Sequence, residues 1–159
     1  MSEVRIESAA DHLDRVPEVA RWHWENGGWR EDPKGSVDSW TQGLLGRTNR
    51  DRIPATYFAL RGNDLVGSVT LVEHDLPDRR DLQDFRPWLA GVHVVRSARS
   101  AGIGSRLVRH AEERARSFGV SRLFLYTSLA ALFYQRLGWR TVRQDHFVGP
   151  ITIMSKDLG

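Results

Sequence analysis

The sequence predicts a single mixed α/β domain covering residues 1–159, and three observations carry that expectation. Short runs rich in β-branched and aromatic residues alternate with stretches of helical apolar spacing. Two glycines, Gly102 and Gly104, stand where an apolar run gives way to a long helical pattern. No linker, repeat or low-complexity segment divides the chain, and 159 residues can bury a core without staples.

The elements follow in order. VRIES (4–8) reads as a first strand. From Asp11 to His23, apolar residues recur at Leu13, Val16, Val19 and Ala20 with His23 in phase. That spacing predicts a helix, with Asp11 as its cap. WHWENGGWREDPKGS (22–36) interrupts it with Gly27, Gly28, Pro33 and Gly35, and holds three of the six tryptophans. SVDSWTQGLLGR (36–47) predicts a second helix, opened by Ser36.

ATYFALRGNDLVGSVTLVEHD (55–75) carries a hairpin signal, two strand-like runs flanking the turn residues Gly62 and Asn63. LPDRRDLQDFRP (76–87) is a polar loop, and WLAGVHVV (88–95) another strand. After the glycines, Ile103, Leu107, Ala111, Ala115 and Phe118 make one apolar stripe. Arg106, Arg109, Glu112, Glu113 and Arg116 are expected to face water, with Glu112 and Arg116 paired one turn apart and Gly119 as the stop. RLFLY (122–126) is a short buried strand of the parallel-sheet type. LAALFYQRLGW (129–139) is a short helix ended by Gly138, and WRTVRQ and ITIMSK are closing strands.

Composition removes several chemistries. The chain has no cysteine, so disulfides, thiolate metal sites and a cysteine nucleophile all fall away. The six histidines, at 12, 23, 74, 93, 110 and 146, show no i, i+4 pairing, so no metal is expected. No signal-peptide core or long apolar run is present, and the expectation is a soluble, cytoplasmic protein without membrane contact. Basic and acidic residues number 23 and 20 and are interspersed, for a net charge of +3. A nucleic-acid surface built on Arg106, Arg109 and Arg116 is therefore disfavoured.

The stretch ARSAGIGSRL (98–107) needs its backbone bare for a reason, because glycine weakens both helix and strand. Free N–H groups at a helix start, with the helix dipole behind them, form an anion cradle. A P-loop requires Gly-Lys-Ser/Thr where this chain has Gly104-Ser105-Arg106. A dinucleotide fingerprint requires glycine where Leu107 stands, and an acidic residue near the end of the next strand, which RLFLYTS lacks. A C-cap or plain loop fits poorly, since these glycines precede a helix.

Arg99-Ser100-Ala101-Gly102-Ile103-Gly104 resembles Arg/Gln-x-x-Gly-x-Gly/Ala, the pattern of the GNAT acyltransferases. The resemblance runs on through PWLAGVHVV, the amphipathic helix, RLFLYT, LFYQRLGW and ITIMSKDL. It implies a mostly antiparallel central sheet with a splayed parallel strand pair that binds acetyl-CoA. Backbone N–H groups from Ser100, Ala101, Gly102, Ile103, Gly104 and Ser105 would hold the pyrophosphate, and Arg99 would add charge. Pantetheine would lie along Val92, His93 and Val94, whose freed N–H near 92 or 93 would polarise the thioester carbonyl. Of the pattern Asn-x-x-Ala-x-x-x-Tyr, Ala130 and Tyr134 match, while Thr127 takes the asparagine's place. Ser100 and Ala101 replace a glycine and a basic residue, so one phosphate-facing charge is lost.

The resemblance implies N-acetyl transfer to a primary amine by direct attack, which sets two proton problems. Tyr134 matches the family's general acid for the leaving thiolate, its alternative being a core aromatic beside Phe133. Trp88 occupies the place where some relatives carry a base. Glu73, near the end of the preceding strand, is the candidate base, with Asp75 and His93 behind it. Trp22, Trp24, Trp29 and Trp40 either line an acceptor pocket or pack. The expected partners are acetyl-CoA and an amine, whether small molecule, protein N-terminus or lysine; a homodimer stays open. The alternative from another class is a catalytically idle acyl-CoA-binding module.

Overall fold

A computed structural model describes residues 3–159. One seven-stranded sheet organises them, in the order β1-β2-β3-β4-β5-β7-β6. Its strands are β1 Val4–Ser8, β2 Ala55–Arg61, β3 Asp64–Val72, β4 Trp88–Val94, β5 Arg122–Thr127, β6 Arg140–His146 and β7 Pro150–Asp157. Every neighbouring pair is antiparallel except β4 with β5, which is parallel. The helices are α1 Val16–His23, α2 Trp29–Glu31, α3 Val37–Leu45, α4 Ile103–Ser117 and α5 Ala131–Arg136.

The sheet is covered on both faces. Tyr57, Val69 and Leu71 pack with Leu107, Ala111 and Ala115 of α4 and with Tyr134 of α5. On the other face Phe58, Leu60 and Leu65 pack with Val16, Val19 and Ala20 of α1 and Leu44 of α3. A third cluster joins Val72, Leu76, Leu82, Trp88 and Phe124 beneath the 76–87 loop. Arg79 clamps that loop to β6 through Asp145 at 2.9 Å. Among the described residues no helix is long and apolar enough to cross a membrane.

The predicted elements largely form, with two departures. The helix expected from Asp11 begins at Val16, because Pro17 is tolerated only in a first turn. Upstream, 3₁₀ turns at Ala9–Asp11 and Leu13–Arg15 replace it; Ser8 caps the first of these, its hydroxyl accepting from Ala10 N at 3.1 Å, and α1 itself has no side-chain cap, from Asp11 or any other residue. Ser36 does open α3, in a reciprocal capping box with Ser39. The second departure is Glu112, expected in water but only 5% exposed. It accepts hydrogen bonds from Trp139 Nε1 at 3.0 Å and Lys156 Nζ at 2.8 Å, while Arg116 pairs with Glu113 instead. The stripe of α4 is wider than its apolar residues suggest, because Trp139, just before β6, and Lys156 of β7 bring donors against it.

Candidate active site

β4 and β5 share the single register pair Trp88↔Phe124, reinforced by Phe124 N donating to Pro87 O at 3.0 Å. Beyond it the strands part. On the other side of β4, the register with β3 passes from Ser68↔His93 to Thr70↔Ala90, skipping Gly91 and Val92. Such a bulge bends a strand and leaves residues without a ladder partner. Gly91 makes it possible by adopting φ +61°.

A cleft of about 830 Å³ opens where the strands part, a size typical of small-molecule sites, roughly 300–1,000 Å³. Val92, His93, Thr127 and Tyr134 line it, and Val94 does not. Thr127 Oγ1 accepts from Ala130 N at 2.9 Å, so its side chain fastens the start of α5. Tyr134 is 8% exposed and packed edge-on against Phe133 and Trp139. Burial pushes its phenol up to about 12.

The glycine turn lies at the head of α4, outside the cleft lining. Ser100 and Gly102 both have left-handed backbone, at φ +68° and +75°, and no side chain caps the helix. Ala101 is exposed, Ile103 buries its side chain and anchors the turn, and Ser105 is half-buried. A Cβ on Gly104 would sit 3.5 Å from Phe133 Cζ and 3.8 Å from Val94 Cγ2, so this glycine faces the gap between β4 and α5. Arg99 donates to Val94 O at 3.0 Å, which holds its guanidinium beside the turn. The first-turn N–H groups of α4 have no side-chain cap, and a free helix N-terminus is a setting suited to an anion.

Of the candidate bases, Glu73 is exposed and outside the cleft lining. It stands just past Val72, the last residue of β3, where the strand has ended. Asp75 lines the cleft, and burial, with Glu31 nearby and Arg47 opposing, pushes its carboxyl up to about 7. His93 lines it as well, its imidazole pushed down by burial and then by Arg99.

Sequence reasoning passed over Glu31, Arg47 and Tyr126, all of which line the cleft. Burial raises the Glu31 carboxyl, and a hydrogen bond with Tyr126 opposes that. The Tyr126 phenol is pushed up by burial and then by Asp75 and Glu31. Of the tryptophans, Trp40 lines the cleft and donates Nε1–H to Asp32 Oδ2 at 3.0 Å. Trp22 and Trp24 pack against His93 and Trp40, while Trp29 is 49% exposed.

Comparison with known proteins agrees with this geometry. The acetyltransferase (GNAT) family matches residues 16–139. An N-acetyltransferase from Staphylococcus aureus Mu50 superposes with a TM-score of 0.76 at 16% identity, covering 99% of this chain and 100% of that one. An aminoglycoside 6'-N-acetyltransferase complexed with coenzyme A gives 0.72 at 18% identity, covering 98% and 97%. N-acetylglutamate synthase from Neisseria gonorrhoeae, complexed with coenzyme A and N-acetylglutamate, gives 0.69 at 16% identity, covering 100% of this chain and 36% of that one. No curated protein matches the sequence. With a parted parallel strand pair, a bulged β4 and a family match across most of its length, the chain belongs to the GNAT family of acetyltransferases.

Proposed function

We propose that this protein is an acetyl-CoA-dependent N-acetyltransferase that acts on a primary amine by direct attack within a ternary complex. The observation that carries the reading is the opening between β4 and β5, with the bulge at Gly91–Val92 on one side and Tyr134 on the other. The first-turn N–H groups of α4 and Arg99 would hold the pyrophosphate. The backbone N–H near Val92 would stabilise negative charge on the thioester oxygen, a contribution that grows in the transition state.

Asp75, rather than Glu73, is the proposed base. With a carboxyl near pH 7 it takes the ammonium proton, directly or through one water, and frees the nitrogen to attack the thioester carbon. As the C–N bond forms and the C–S bond breaks, Tyr134 gives its phenolic proton to the leaving thiolate, and the second proton lost by the nitrogen on becoming an amide returns through water to the phenolate. Burial keeps that phenol protonated at neutral pH, the state a donor needs.

The charge of the cleft supports a cationic small-molecule acceptor. Glu31, Asp32 and Asp75 line it against Arg47. A diamine would place one nitrogen at Asp75 and rest its second ammonium on Glu31. Thiol release from acetyl-CoA across a panel of diamines, monoamines and amino acids tests the reading. Amine-dependent release, strongest for diamines, supports it; tight acetyl-CoA binding without release from any amine would return the protein to an idle acyl-CoA-binding module.

A further inference from the structure

His23, the last residue of α1, lines the cleft and touches the strand pair that carries the bulge. Its Nε2 lies 3.3 Å from Ser68 Oγ on β3, and that hydroxyl lies 3.2 Å from the carbonyl oxygen of Gly91. Ser68 is 0% exposed, so its hydrogen bonds must be met inside the protein. A carbonyl only accepts. The Ser68 proton therefore goes to Gly91 O, and Ser68 Oγ accepts from His23 Nε2–H. That fixes the neutral tautomer of His23, with Nδ1 bare. The ring also covers the bulge directly, since a Cβ on Gly91 would meet His23 Cε1 at 3.5 Å and Nε2 at 3.6 Å.

The peptide unit from Gly91 to Val92 is planar, and in a trans peptide its C=O and N–H point in opposite directions. The Gly91 carbonyl is turned toward Ser68 on β3. The Val92 N–H is thereby turned away from β3, to the side where β5 has parted from β4. We propose that His23 is a positioning residue: through Ser68 it fixes the Gly91 carbonyl and so aims the Val92 N–H at the acyl oxygen. The inference rests on the acyl-transfer reading above. It also ties α1, which forms one wall of the cleft, to the groups that stabilise the acyl carbonyl.

The test compares His23→Leu, Ser68→Ala, their double variant and His23→Gln with the wild type. Glutamine carries an amide N–H at about the reach of Nε2. Removing an oxyanion donor outright lowers kcat about 10²–10³-fold, so a loosened one should lower it about 10-fold. His23→Leu and Ser68→Ala are expected to show that loss at saturating acetyl-CoA with its KM little changed. The double variant should be no slower than the worse single, because one broken chain cannot be broken twice. His23→Gln should recover most of the rate. Wild-type kcat in His23→Leu, additive losses in the double variant, or no recovery with glutamine would each overturn the proposal. If the wild type shows no amine-dependent turnover, the acyl-transfer reading fails, and amide exchange decides the positioning role alone. Faster exchange across 91–94 in His23→Leu and Ser68→Ala sustains the chain of bonds, and unchanged exchange overturns it.

Discussion

Trp88 and Phe124 form the register pair at which β4 and β5 run side by side, and past it the two strands part. Their rings tilt against each other at 6.0 Å, and Phe85 stacks on Phe124 at 4.8 Å. The Trp88 indole N–H donates to the Phe85 carbonyl. A packed aromatic cluster thus closes one end of the opening while Gly91 bends β4 away near the other. The gap is a product of the sequence.

Gly104→Val should fold and lose acetyl-CoA. Its first added carbon meets Phe133 and Val94 at ordinary contact distance, whereas the branching methyls fill the wedge between β4 and α5. Thermal shift is the measurement: acetyl-CoA should raise the wild-type melting temperature and leave that of the variant unmoved. Equal stabilisation of both would remove the glycine turn from the binding site.

Tyr134→Phe should slow turnover about 10²-fold, the usual worth of one general acid, while acetyl-CoA affinity holds. The substitution leaves the ring packed on Phe133 and Trp139. Single-turnover rates are the check, and a wild-type rate would make Tyr134 a packing residue.

Asp75→Asn should have opposite effects on rate and stability. The folded carboxyl holds its proton up to about pH 7, and the unfolded one releases it near 3.8. The stability from that raised pKa is fully present below 3.8 and lost as pH rises through 7. His23 runs the other way: its pKa falls from 6.5 to about 4 on folding, so stability is lost as pH drops below 6.5. Asparagine removes only the first trend. The melting temperature of Asp75→Asn relative to wild type should therefore climb between pH 5 and pH 8, at roughly 2–4 °C per kcal/mol for a chain of this size. Its kcat/KM at neutral pH should fall about 10²-fold. A pH-independent difference in melting temperature would contradict the burial argument, and an unchanged rate would exclude Asp75 as the base.

Glu112→Ala should destabilise the fold by about 3–5 kcal/mol, because it leaves the Lys156 ammonium and the Trp139 N–H without their buried acceptor. Denaturant unfolding measures this directly. A loss under 1 kcal/mol would mean that Lys156, which also donates to Leu137 O at 2.7 Å, finds enough compensation there.

Much of the fold was legible because local rules agreed with it. Gly62-Asn63 set the hairpin, Gly119 and Gly138 stopped their helices with φ +87° and +94°, and Ser36 capped α3. The failures share a cause, which is that pattern reading treats each element alone. Glu112 reads as solvent-facing until the chain entering β6 brings Trp139, and β7 brings Lys156, against it. Asp75 comes to line the cleft only through the turn that follows β3, which strand alternation does not describe. His23 reads as one more position on a helical stripe, and its link to Gly91 exists only after α1 docks over β3 and β4.

A crystal structure of the protein with coenzyme A would show whether the opening between β4 and β5 receives the acyl donor. Pantetheine should lie between the strands beyond Trp88 and Phe124, with the pyrophosphate on the first-turn N–H groups of α4. The sulfur should lie within hydrogen-bond reach of the Tyr134 hydroxyl, with the Val92 N–H turned toward the acyl position. Coenzyme A bound elsewhere on the chain, or a sulfur remote from both Tyr134 and Val92, would contradict this placement.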